Sequence, residues 1–348
     1  MEIFQLIRVL ILATTSFFVA LFLTPFLTRY LYKYRLGKQI RGGPAVPIFS
    51  ELHKKKAGTP TMGGIIVWAT VLLLAGFFFA ATKTAGGVFG DLNFISRAQT
   101  YLPLAALGIA ALFGLVDDLC GIFRFGKNGQ GLSVPQKIIL YSTIAVVGAL
   151  WFYFKLDWDT LHIPLFGDYF IGGWYIPLFV FVILASAFSA NEADGLDGLA
   201  GGVLLIAFVC LGVVAFVLGR YDLTVFTATV AGALVAFLWF NVYPARFFMG
   251  DTGSMSLGIT LGVIAMLTDT ALLLPFFAFV LVGESASVII QVVSKRIAGK
   301  KIFISTPIHH HFEALGWPET KVTMRFWIIS GVVAGFGLII FFLDRFLL

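Results

Sequence analysis

Leu115-Val116-Asp117-Asp118-Leu119 closes an apolar run that begins near Leu102. The run is about as long as a helix needs to cross a bilayer, and ionisable groups at membrane depth are functional by default. Working outward, similar runs occur near 5–28, 62–82, 138–154, 173–190, 199–218, 223–241, 253–268, 270–293 and 326–343. The composition agrees: the 348 residues are 59% hydrophobic and 12% charged, with a mean hydropathy of +0.96. Lipid-exposed backbone must satisfy its own hydrogen bonds. The expected fold class is therefore an all-α integral membrane protein of about ten transmembrane helices, forming a single multi-pass domain over 1–348. The first run, Ile7 to Thr28, is too long for a signal-peptide core and reads as a retained helix. Cys120 and Cys210 are isolated in or beside apolar segments and read as packing residues.

Ten crossings put both termini on one side. Of the 24 Lys and Arg residues, 18 fall in the loops 29–60, 117–137, 242–254 and 293–325. The positive-inside rule makes those loops cytoplasmic and both termini periplasmic. Topology alone then accounts for the net charge of +6, so no nucleic-acid partner is expected. The outer segment from Lys155 to Gly172, with Ile163, Leu165 and Tyr169 alternating, has the pattern of a short hairpin. His162 within it reads as a surface residue.

Every cluster with chemical character falls on the cytoplasmic face. Lys54-Lys55-Lys56 runs into Gly58-Thr59-Pro60-Thr61-Met62-Gly63-Gly64. Lysine beside a glycine-bearing helix start suits a phosphate, with Lys56 the candidate contact and its two neighbours topological anchors. Asp117 and Asp118 are neighbouring carboxylates, which raise one another's cost of ionisation unless a cation intervenes. Mg²⁺ fits, since it uses one or two carboxylates together with substrate phosphates. Asn191, Asp194 and Asp197 recur every third residue among glycines, so one turn or tight loop brings them to one side. Asp251 follows Phe247 and Phe248, and an aromatic there can stack on a nucleobase. His309-His310-His311 cannot all chelate one ion on a regular element, and imidazoles that donate to phosphates or hold a metal-bound oxygen fit better. Glu284 lies inside the ninth apolar run, where a charge needs a partner or a break in the helix.

These clusters, in this order, resemble the polyprenyl-phosphate N-acetylhexosamine-1-phosphate transferase superfamily, and within it the phospho-N-acetylmuramoyl-pentapeptide transferases. The matching stretches are Gly58 to Gly64, Asp117-Asp118, Asn191 with Asp194-Gly195-Leu196-Asp197-Gly198, Tyr243-Pro244-Ala245 through Met249-Gly250-Asp251, and Pro307 to Glu313 through Gly316-Trp317. Coverage runs from about 54 to 330. Two departures stand out: Glu192-Ala193 replaces the family's Leu-Thr, and Gln130 stands where a lysine usually precedes Gly131-Leu132-Ser133, leaving Lys127 as the substitute cation.

The resemblance implies transfer of phospho-MurNAc-pentapeptide from UDP-MurNAc-pentapeptide to undecaprenyl phosphate, giving lipid I and UMP for peptidoglycan. It also implies Mg²⁺, a homodimer, membrane-lipid neighbours and residence in the bacterial inner membrane. Carried over residue by residue, Asp251 with Asp118 holds the metal, and Asp117 is the candidate base. Lys56, Asn191, Asp194, Gly195, Leu196, Asp197 and Phe248 form the nucleoside pocket. His310 and His311 hold the pyrophosphate end and are catalytic, and His309 is a substrate-binding residue. A sister N-acetylglucosamine-1-phosphate transferase would use the same acids. A transporter would concentrate its polar groups near mid-bilayer, where only Glu284 is expected.

Overall fold

The computed structural model describes residues 2–37, 56, 58–84, 86–126 and 131–347. Lys54, Lys55, Lys127 and Gln130 lie outside the described residues. All ten apolar runs fold as helix. They are α1 (Glu2–Lys33), α2 (Ile65–Thr84), α4 (Tyr101–Ile122), α5 (Val134–Lys155), α6 (Tyr175–Glu192), α7 (Leu199–Val217), α8 (Tyr221–Asn241), α9 (Asp251–Leu267), the pair α10 (Leu274–Phe277) and α11 (Phe279–Ile297), and α13 (Glu319–Leu347). Two short helices join them, α3 (Val88–Leu92) and α12 (Ile308–Ala314).

Eight of these are long and apolar enough to span a membrane, or nine if the bent pair is one span. The remaining run is α9, 17 residues with every residue buried. Its small and apolar residues leave no polar face, so it sits inside the bundle, as a helix without a polar stripe does, packed on α4, α6, α7 and α2. The ninth run bends by 92° at Ala278. The break therefore precedes Glu284 by two turns and is not centred on it.

The expected hairpin forms, with β1 (Thr160–Ile163) antiparallel to β2 (Gly167–Phe170). His162 is not a free surface residue: its Nδ1 lies 2.6 Å from Asp168 and its Nε2 2.8 Å from Asp344 near the end of α13. Asp344 also accepts the Leu165 N–H at 2.7 Å. At the same end of the bundle Arg220 stacks over Trp158 and donates to the Leu267 carbonyl. Arg8, near the start of α1, pairs with Asp222 at 2.8 Å. Both termini thus share one end, and the loops with chemical residues gather at the other.

Candidate active site

Close helix packing brings α4 to the first turn of α9. A Cβ on Gly114 would lie 2.4 Å from the Asp251 carbonyl oxygen, so only glycine lets the two backbones meet one turn before the paired acids. Gly114→Ala is expected to cost about 1–3 kcal/mol from overpacking and to lower turnover; thermal unfolding and an activity assay in detergent check both.

Asp117 and Asp118 are both buried, and they face different partners. The Asp118 carboxylate accepts the N–H groups of Asp251 at 3.2 Å and Thr252 at 3.0 Å. These are among the donors a helix N-terminus leaves without intrahelical partners, and the helix dipole favours an anion there. Asp118 therefore holds α9 in place from a neighbouring helix. Asp117 instead accepts the Leu132 N–H at 2.6 Å and faces the Lys137 ammonium at 2.5 Å. The same ammonium pairs with Asp251. Asn191 completes this side, donating to Asp251 at 3.1 Å and to Ser254 at 3.0 Å.

Lys137 is the principal residue that reading the motifs missed. A signal was available: Ser133 with Gln136 three residues later is a capping box with Pro135 in the first turn, and Gln136 accepts the Ser133 N–H at 2.9 Å. That fixes the start of α5 and puts Lys137 in its first turn, a cation at the edge of a membrane helix.

The spacing of Asn191, Asp194 and Asp197 does bring them to one side. All three meet the stretch 245–254: Asp194 accepts the Gly250 N–H at 2.9 Å and Asp197 accepts the Ala245 N–H at 2.9 Å. Leu196 turns into the core. Asp197 also pairs with Lys56 at 2.7 Å. Glu319, a second residue the motifs did not single out, pairs with Lys56 and accepts the Asp197 N–H at 2.6 Å. Burial acts to lower the Lys56 ammonium, but the facing carboxylates of Glu319 and Asp197 outweigh it and hold the group above the ordinary lysine value. Its Nζ stands 5.6 Å from the Phe248 ring. Phe247 is fully buried, so Phe248 is the aromatic left open to a ligand.

In the histidine segment, each ring has its own surroundings. His311 accepts the Ile304 N–H on Nδ1 at 3.2 Å, which leaves Nε2 to donate. His310 Nδ1 lies 2.7 Å from Glu313. His309 is completely buried, 2.9 Å from Glu284, the partner that the sequence did not supply for that acid. An apolar groove of about 590 Å³ among α5, α6, α10 and α11 is lined among others by Val134, Ile138, Phe188, Glu192, Ser285 and Ile289. Two of its lining residues, Val134 and Glu192, stand within a turn along the chain of Lys137 and Asn191.

Among the described residues no group of three or more His, Cys, Asp or Glu side chains is arranged to hold a metal ion. Two carboxylates, Asp117 and Asp251, do converge on one cation, the Lys137 ammonium. A pair of hard oxygen donors suits Mg²⁺ when substrate phosphates supply further ligands, so the residues present fit that ion.

A family model described as glycosyl transferase family 4 matches residues 100–269, the span holding Asp117, Asp118, Asp194, Asp197 and Asp251. The phospho-N-acetylmuramoyl-pentapeptide-transferase of Chloroflexus aurantiacus is 36% identical over 344 residues, 95% of this chain and 89% of that one. Those of Clostridium perfringens strain 13 and Bacillus pumilus are 37% and 36% identical, covering 93% of this chain and 96% and 95% of theirs. Identity at this level over nearly the whole length of both partners shows the family, and this multi-pass membrane chain belongs to the phospho-N-acetylmuramoyl-pentapeptide transferases.

Proposed function

We propose that the chain transfers phospho-MurNAc-pentapeptide from UDP-MurNAc-pentapeptide to undecaprenyl phosphate, releasing UMP and forming lipid I for peptidoglycan. The observation that carries this reading is the buried cluster of Asp117, Lys137 and Asp251, with an apolar groove whose lining includes Val134, one turn from Lys137 on the same helix. A polyprenyl chain lying in the groove delivers its phosphate to the cation, while a soluble nucleotide reaches the same point from the water-facing loops. The clustered end is cytoplasmic by the positive-inside rule, which puts both termini in the periplasm. Inner-membrane residence and a homodimer follow from the resemblance; native mass spectrometry in detergent tests the dimer.

Asp251 and Asp117 would hold Mg²⁺, with Asp118 steadying α9 behind them in place of its expected direct contact. The ion supplies charge neutralisation across the pyrophosphate. Lys137 draws the acceptor phosphate against the acids. An acceptor oxygen attacks the β-phosphorus in line; the new P–O bond forms as the bond from the β-phosphorus to the bridging oxygen breaks, and UMP leaves with that electron pair. His310 and His311 face the pyrophosphate end. Lys56, Phe248 and the loop from Asn191 to Asp197 hold the nucleoside.

Asp117 has little proton to remove. A phosphate monoester loses its second proton near pH 6, and both Asp117 oxygens already accept from Leu132 and Lys137. Asp117→Asn is expected to lower kcat by up to about 100-fold through lost charge, with the shape of the kcat–pH profile between pH 6 and 8 unchanged. Loss of the acidic limb in that variant would make Asp117 the base after all.

The reaction itself is tested by incubating purified protein with undecaprenyl phosphate and either UDP-MurNAc-pentapeptide or UDP-N-acetylglucosamine, with and without Mg²⁺, and weighing the lipid product. A lipid carrying only N-acetylglucosamine phosphate would overturn the assignment.

A further inference from the structure

From Glu284 onward the buried face of α11 is polar where an ordinary helix would be apolar. Glu284, Ser287 and Gln291 are all buried, while Ile289, Ile290, Val292 and Val293 point outward. The spacing i, i+3, i+7 makes the three polar residues one stripe. Two of them reach the histidine segment. Gln291 accepts the N–H groups of Ile302 and Phe303, each at 3.0 Å, and donates to the Phe303 carbonyl at 2.8 Å. Two turns away, the Glu284 carboxylate meets His309 Nδ1 at 2.9 Å. The stripe thus grips the chain before the histidines and at the first of them.

His309 is held from its other edge by an absence of side chain. A Cβ on Gly195 would lie 2.3 Å from His309 Nε2, so glycine at that position is what admits the ring. Among the described residues neither His309 Nε2 nor Glu284 Oε1 has a hydrogen-bond partner, and both are buried. No room remains for a ligand between ring and loop. The contact instead joins three segments, α11, α12 and the Asp194–Asp197 loop, the last of which holds the nucleoside in the function proposed above.

Stability does not explain this arrangement. A buried carboxylate with one unsatisfied oxygen is costly, and replacing a buried ionic pair by apolar groups of similar volume is often neutral or favourable. Orientation explains it: fixing His309 fixes the first turn of α12, and with it His310 and His311.

We propose that Glu284 is a positioning residue of the transfer reaction, orienting the histidine segment through His309 Nδ1 against Gly195. This rests on the reaction proposed above. The test compares wild type, E284Q, E284L, H309L and E284L/H309L, purified in detergent, for monodispersity, melting temperature, and kcat and KM with UDP-MurNAc-pentapeptide and undecaprenyl phosphate. Wild-type turnover tests the reaction itself; the ratios of variant to wild type test the pin. E284L is expected to stay monodisperse with a near-wild-type melting temperature and to lose about 10- to 100-fold in kcat, the scale of a slight misplacement of reacting groups. Its KM for the lipid acceptor, which enters from the groove, is expected to stay within about twofold. E284Q keeps an oxygen that accepts from Nδ1 and is expected to recover most of the rate. The double variant is expected to be no slower than H309L alone, since both remove one contact. An E284L rate within twofold of wild type, losses that multiply in the double variant, or aggregation of both E284L and E284Q would each overturn the proposal, the last by making the role purely structural.

Discussion

Asp251→Asn is expected to lower turnover by at least about 10³-fold, the scale seen when one preorganised electrostatic partner of a transition state is removed. The side chain keeps its size, and asparagine is well tolerated in the first turn of a helix. The Asn191 contact at 3.1 Å can persist once the amides reorient, so the fold should survive. What disappears is the charge that shares Lys137 with Asp117. A Mg²⁺ titration of the residual rate gives the second readout. If Asp251 holds the ion, half-maximal activity moves to higher Mg²⁺ while labelled nucleotide still binds, because Lys56, Asp194 and Asp197 are untouched. Weaker nucleotide binding with an unchanged Mg²⁺ response would instead place Asp251 in the nucleoside pocket.

Hydropathy made most of the fold legible, since each apolar run had to become a helix. It could not distinguish a lipid-facing helix from α9, whose neighbours cover it on every side. The bend at Ala278 was also hidden: no proline or glycine stands at the break itself, and Glu284, two turns after it, drew attention because it is charged, although its burial serves His309 on another helix. Within the site, spacing revealed that Asn191, Asp194 and Asp197 share a side, and the structure supplies their common partner, the stretch leading into Asp251. Lys137 and Glu319 were missed for one reason. Each is a single charge in the first turn of a long helix, where helix capping and the positive-inside rule already give it an ordinary explanation. Their roles depend on contacts 114 and 122 residues away in the chain, which no local pattern encodes.

Lys137→Met is the sharper test of the cluster, because it separates stability from catalysis. The Lys137 side chain is only 13% exposed and those of Asp117 and Asp251 less than 10%. Methionine fills much the same space but leaves two carboxylates facing each other without a cation. Like charges at such a site disfavour ionisation of both, and breaking a mostly buried pair from one side costs about 3 kcal/mol or more. The variant should therefore melt well below wild type and lose about 10²- to 10³-fold in kcat. Removing Asp117's charge as well changes the balance: in Asp117→Asn/Lys137→Met one acid and one base are gone together, and Asp251 keeps Asn191. Most of the lost melting temperature should return in this double variant, whereas turnover should not, because the cation that meets the acceptor phosphate is still missing. Recovery of both would mean that Lys137 serves only to neutralise the acids. Recovery of neither would mean that the Asp117–Lys137 contact holds the start of α5 in place, through Leu132, more tightly than charge balance alone requires.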